Sequence, residues 1–80
     1  MSAFYFKTHD NDGTVPADRA FEFPDLISAV EQAKRVLAEM ALDGLPSAPG
    51  ERLSIEVQNG QRMPIVNLEL ELTISYLRQS

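Results

Sequence analysis

"RLSIEVQNGQRMPIVNLELELTISY", residues 52–76, decides the fold of this chain. Leu53, Ile55 and Val57 alternate with Ser54 and Glu56, the period-two pattern of a strand with one buried face. Asn59-Gly60 follows, and both residue types tolerate positive φ, so the pair predicts a two-residue hairpin turn. That turn would set Val57 opposite Arg62, Ile55 opposite Pro64 and Leu53 opposite Val66. Opposed residues share a face, so the even positions of the last strand point inward: Val66, Leu68, Leu70, Leu72, Ile74 and Tyr76. Asn67, Glu69, Glu71, Thr73 and Ser75 then point to water. A three-residue loop would reverse this parity and put Leu53 beside the glutamates, so the two-residue turn is preferred.

The predicted register leaves part of the last strand without a mate. Residues 66–76 would extend about 36 Å at ~3.3 Å per residue, while the partner strand is exhausted near Arg52. Residues 68–76 must pair elsewhere, either with the first hairpin of the same chain or with a second copy. Leu68, Leu70, Leu72 and Ile74 are the expected interface. Met63-Pro64 fits an edge position, since proline cannot donate to a ladder.

Upstream, Pro24 disfavours helical geometry before it and the Asp25 carboxylate can accept hydrogen bonds from the first free N–H groups of a helix. Leu26, Val30, Ala33, Leu37, Met40 and Ala41 recur at intervals of three and four, and Gly44 offers a left-handed C-terminal residue. These signals predict a helix over 25–42, followed by the loop "LPSAPGE". Before the helix, "AFYFKT" at 3–8 and "RAFEF" at 19–23 read as a first hairpin with Phe4 and Phe6 beneath the helix. The polar stretch "KTHDNDGTVPAD" at 7–18 joins them. The sum is a single α+β domain over 1–80 with ββαββ order: a four-stranded, mainly antiparallel sheet, one helix on its apolar face and an acidic face open to water.

Composition narrows the function classes. The chain has 80 residues and no cysteine, which excludes disulfides, thiolate zinc sites and cysteine nucleophiles. One core of this size seldom supplies more than ~3–5 kcal/mol, so oligomerisation is an expected source of further stability. Seven Lys and Arg against twelve Asp and Glu give a net charge of -5, which disfavours nucleic acid and anionic membranes as partners. With neither a signal segment nor a long apolar run, a soluble cytoplasmic protein is expected.

No catalytic constellation emerges. His9, Asp10, Asp12 and Asp18 suggest a metal or small-ligand loop at 9–18. Counting a calcium loop from Asp10, however, puts Val15 at the glycine position and Phe21 at the bidentate position. Asp, Asn and Gly are equally the residues of tight turns, and a turn is the preferred reading. His9 has no companion histidine. Ser28, Ser47, Ser54 and Ser75 lack a glycine-flanked elbow, and the four glycines form no phosphate loop. Glu56, Glu69 and Glu71 share one strand face, where a solvated surface is the simpler reading than an acid–base pair. Tyr5 and Tyr76 read as amphipathic packing residues. No cofactor is implied.

"FYF" at 4–6, "DG" at 12–13, "EFPDLISA" at 22–29 and "SIEVQNG" at 54–60 together resemble a family of short bacterial proteins known only as a domain of unknown function. The likeness spans nearly the whole chain. Ala20 stands where members often carry glycine, and the apolar alternation of the last strand runs on further. The resemblance implies a small α+β fold and no activity. A more local likeness, "FPDL" at 23–26 and "LDGLPSAPG" at 42–50, is to antitoxins that inhibit RNA-cleaving toxins, but those usually add a DNA-binding segment for which no length remains here. The expected function is therefore non-enzymatic protein contact, with self-association along a sheet edge. A regulator binding metal or ligand through 9–18, and an antitoxin-like inhibitor of a basic protein, are the alternatives.

Overall fold

The structure, a computed structural model, describes residues 1–78. Its elements are β1 (Ser2–Asp10), β2 (Gly13–Val15), β3 (Ala20–Phe23), α1 (Leu26–Asp43), β4 (Arg52–Gln58) and β5 (Pro64–Glu71). All strand pairings are antiparallel, in the order β2-β1-β4-β5, with β3 also on β1. The fold class is the expected α+β, with five strands because the second arm of the first hairpin is broken. β2 pairs with the far end of β1 and β3 with its beginning, so Phe6 and Lys7 alone face the four residues Pro16–Arg19. Proline has no N–H for the ladder, and Ala17 folds inward to become buried.

The core lies where α1 crosses β4. Leu53, Ile55 and Val57 are fully buried, as their alternation predicts, and burying three such side chains contributes roughly 5–9 kcal/mol before conformational entropy is counted. Ala29 and Ala33 pack with Ile55 and Val57 and have no exposure, and methyl groups at these two places let the helix backbone sit close to the sheet. Val36, Leu37 and Met40 extend that seam. The buried line keeps the expected Ala33, Leu37 and Met40 but turns toward Ala29 and Val36, and Leu26 is exposed. Phe4, Phe6 and Phe23 close the β1 side, with ring centroids 6.2 Å apart for Phe4–Phe23 and 6.0 Å for Phe6–Phe23.

Asp25 caps α1 by accepting the Ser28 N–H at 2.8 Å. Gly44 ends the helix, its N–H reaching the Met40 carbonyl, but with φ 168° its backbone is extended and not left-handed. The stretch at 7–18 makes the expected turn within two residues, and β1 and β2 extend into it on either side. Asp10 pairs with Gly13 across a two-residue turn at Asn11 and Asp12, the Asp10 carboxylate accepts the Asp12 N–H at 2.8 Å, and Gly13 takes φ 123°. The Asn11 amide donates to the Leu45 carbonyl at 2.9 Å, tying this turn to the chain leaving α1.

The second hairpin overturns the predicted register while keeping its parity. Leu53 faces Leu70, Ile55 faces Leu68 and Val57 faces Val66. Instead of a two-residue turn, five residues separate Gln58 from Pro64. Within them the Asn59 N–H bonds the Met63 carbonyl, the Arg62 N–H bonds the Asn59 carbonyl, and Arg62 takes φ 65°. This is a three-residue loop with a left-handed third residue, the arrangement that parity alone had argued against. A bulge between Val57 and Gln58, opposite the extra residue Ile65, restores the alternation. The Asn59 side chain organises the loop by accepting the N–H groups of Gln61 and Met63, each at 3.0 Å. Contrary to the expectation, the first hairpin does not lie beside the end of the last strand: β1 pairs with β4, and β5 is an outer strand.

Candidate functional site

β5 has a neighbour on one side only, so its outer edge presents unpaired backbone groups among the described residues. The two edges of the sheet differ. At the opposite edge, β2 and β3 have three and four residues and are separated by Pro16, features that blunt strand addition. β5 runs for eight residues, and its one irregularity, the extra residue Ile65, lies near its start. Proline stands only at its first position, where Pro64 sits as an edge strand permits.

Leu68 packs against the core, and Leu70 is half-buried beneath α1. With Leu37, Ala38, Ala41, Leu42 and the stem of Lys34, Leu70 lines an open, almost wholly apolar groove of about 530 Å³ on the outer flank of the helix. Leu42 projects at its rim, 88 % exposed. The two remaining interface candidates leave the sheet. Regular pairing stops at Glu71, and Leu72, Ile74, Tyr76 and Leu77 beyond it are 40, 63, 89 and 94 % exposed. Their inner side runs past the loop at 46–50, where Pro46 is buried and the polar and apolar walls leave a hollow of about 400 Å³.

The segment projects along the strand direction. The radius of gyration is 14.8 Å, against ~12 Å for a compact chain of this length. The excess lies on one axis, with extents of 56 × 22 × 19 Å. Residues 64–78 in extended form span about 50 Å, which accounts for most of that long axis.

The open face of the sheet carries the charged side chains. Arg52 stands opposite Glu71, its Nε 3.1 Å from one Glu71 oxygen, while its Nη1 lies 3.6 Å from Glu69. The Glu71 hydrogen bond, and then the Glu69 charge, hold the Arg52 guanidinium above its ordinary pKa. All three side chains remain open to water, so the cluster fixes orientation more than stability. The true register was needed to foresee it, because the predicted one leaves Arg52 without Glu71. Arg62 lies over the Tyr5 ring at 4.1 Å from the centroid, a contact that only the left-handed turn brings about.

A polar row crosses the same face: Thr14 on β2, His9 on β1, Ser54 on β4 and Glu69 on β5 stand in register. His9 Nδ1 is 2.8 Å from the Thr14 hydroxyl. Glu56 accepts from Gln58 at 2.9 Å and Glu69 from Asn67 at 3.0 Å. Carboxylate pairs that do acid–base work are buried, whereas Glu69 and Glu71 are solvated and share one arginine.

The metal candidates do not converge. His9 and Asp10 are successive strand residues and so point to opposite faces. Asp10 is engaged by the Asp12 N–H, and Asp18 lies in the break between β2 and β3, beside Arg19 and Phe21. No group of three metal-ligating side chains forms among the described residues. Among the same residues, no helix is long and apolar enough to cross a membrane.

The family model described as Domain of unknown function (DUF6894) matches residues 3–71, ending where β5 ends. No curated protein and no solved structure shows significant similarity to the chain.

Proposed function

The chain belongs to that family, a membership that brings no chemistry with it, and from its own surfaces we propose that it acts by protein contact and not by catalysis. An extended partner segment adds to the outer edge of β5, with apolar side chains entering the groove beside α1. The observation that carries this reading is the meeting of three features: an eight-residue outer strand, an apolar groove along it, and an exposed apolar segment continuing from it. Backbone hydrogen bonds along such an edge supply affinity, and alternate side chains supply specificity. Each Leu or Ile side chain taken fully out of water contributes about 1.5–3 kcal/mol, so three or four of them suffice for a useful affinity once the cost of association is met. The negative net charge supports a protein partner over a polyanion.

The test is cross-linking of the tagged chain inside its native cell, comparing wild type with Thr73→Pro, a change outside the regular elements. Cross-links that map to residues 64–77 in the wild type and vanish in the variant are expected. Cross-links elsewhere, or indifference to the proline, would count against the edge.

A further inference from the structure

We infer that the partner of this edge is a second copy of the chain, joined by antiparallel pairing of residues 68–76 about a two-fold axis at Leu72. The inference rests on the edge reading above and adds a partner and a register to it.

The chain carries both halves of the contact. The groove of Leu37, Ala38, Ala41, Leu42 and Leu70 lacks an apolar occupant, and Leu72, Ile74 and Tyr76, flanked only by the loop at 46–50, stay 40, 63 and 89 % exposed. One chain cannot join them, because β5 runs past the groove before the segment begins and the segment leads away from it. A copy running the opposite way can.

Parity and charge select the register. Directly opposed residues share a face, so with both helices on one side of the joint sheet the Leu side of one copy must meet the Leu side of the other. That leaves registers centred on a residue. Centring on Leu70 opposes Glu69 to Glu71, and centring on Glu71 opposes that glutamate to itself. Like charges directly opposite are destabilising. Centring on Leu72 removes both conflicts and keeps the longest overlap: Glu71 meets Thr73 and Glu69 meets Ser75 on the open face. On the helix face Leu70 meets Ile74, and Leu68 meets Tyr76. Ile74 of the second copy thus arrives beside Leu70, the residue that floors the groove.

Spacing agrees. The helix packs chiefly on β4, one strand in from the edge. The two helices of the pair would then lie three strand spacings apart across the sheet, about 14 Å, and staggered along it, each reaching the joint with the C-terminal turns that line the groove. Directly packed helices sit 8–10 Å apart, so the gap calls for a layer of large side chains, which Leu72, Ile74 and Tyr76 from both copies provide. The joint sheet would run unbroken from β2 of one copy to β2 of the other, leaving only residues 64–67 of β5 at an edge.

The absence of native cysteine makes the register directly testable. Sedimentation of the wild type from 1 to 500 μM is expected to show a monomer–dimer equilibrium. Ile74→Asp should weaken it at least tenfold, while its far-UV circular dichroism at low concentration stays that of the wild type. Under mild oxidation the Leu72→Cys chain should form a disulfide dimer. Leu70→Cys and Ile74→Cys chains should not do so alone, being about 13 Å apart along the strands, but should cross-link when mixed. A strict monomer at 500 μM overturns the second copy as partner, and the in-cell cross-links to a different protein would still decide the edge reading. A dimer indifferent to Ile74→Asp, or a dimeric Leu72→Cys chain that resists oxidation, overturns the register and the interface alike.

Discussion

Leu53 of β4 stands directly opposite Leu70 of β5, where a two-residue turn at Asn59-Gly60 would have set it against Val66. The displacement is even, so every side chain keeps its face although every pair changes. It is produced by Arg62 in the left-handed region and by the extra residue Ile65. An L-residue pays roughly 1–2 kcal/mol in that conformation, and the contact of Arg62 with Tyr5 returns about 0.5–1 kcal/mol. Arg62→Gly should therefore change stability by less than about 1 kcal/mol, because relief of strain and loss of the ring contact oppose each other. Arg62→Val, which accepts the left-handed region poorly and has no cation, should destabilise by about 2 kcal/mol. Urea denaturation of both variants checks this, and equal effects would show that the turn is not held by its third residue.

The hairpin also marks how far the sequence could be read. Alternation of Leu53, Ile55 and Val57 identified the buried face because burial depends on parity alone. Asn59-Gly60 misidentified the turn because the same residues serve a longer loop, in which the Asn59 amide accepts two N–H groups that no local propensity reveals. The strand order was not legible either. "AFYFKT" and "RLSIEVQ" are each able to pair with any apolar strand, and what selects β1 against β4 is the shared need of Phe6, Val57 and Ile55 to lie beneath Ala29 and Ala33. Of the candidate edge, the apolar alternation through Leu72 and Ile74 was visible, while the groove required the helix position.

Ile55 and Ile65 separate core from edge within one hairpin. Ile55 is fully buried under the helix, and Ile65 is 42 % exposed on the open face. Truncating a buried isoleucine to alanine costs about 2–5 kcal/mol, comparable to the whole stability of a domain this small. Ile55→Ala should leave much of the chain unfolded at 37 °C by circular dichroism, whereas Ile65→Ala should shift stability by less than about 1 kcal/mol. A folded Ile55→Ala chain would mean that another interface carries the core.

Divalent ions should leave the first hairpin unchanged. His9 Nδ1 is directed at Thr14, the Asp10 carboxylate at the Asp12 N–H, and no three ligands gather among the described residues. Titrating calcium, magnesium and zinc to millimolar concentration while following the amide resonances of residues 7–18 should give no saturable shift. A saturable shift centred on Asp10 and Asp12 would replace the turn reading with a binding site.

Asp25 makes helix capping dependent on acid. The Ser28 backbone N–H, followed by its hydroxyl, holds the Asp25 carboxyl below its ordinary value near 3.8. A group whose folded pKa is depressed contributes stability that is fully present above its unfolded pKa and is lost as pH falls through the folded one. Asp25→Ala should accordingly lower Tm by roughly 4–8 °C at pH 7, and the gap to wild type should close in acid as pH falls through the depressed value and the wild-type carboxylate takes up its proton. Asp25→Asn caps without titrating, so it should stay within about 2 °C of wild type at pH 7 and exceed it in acid. Thermal melts of the three chains from pH 2 to pH 7 separate this residue from the other carboxylates, which all three share. A wild-type advantage over Asp25→Ala that persists at pH 2 would assign the effect to side-chain packing and not to the charged cap.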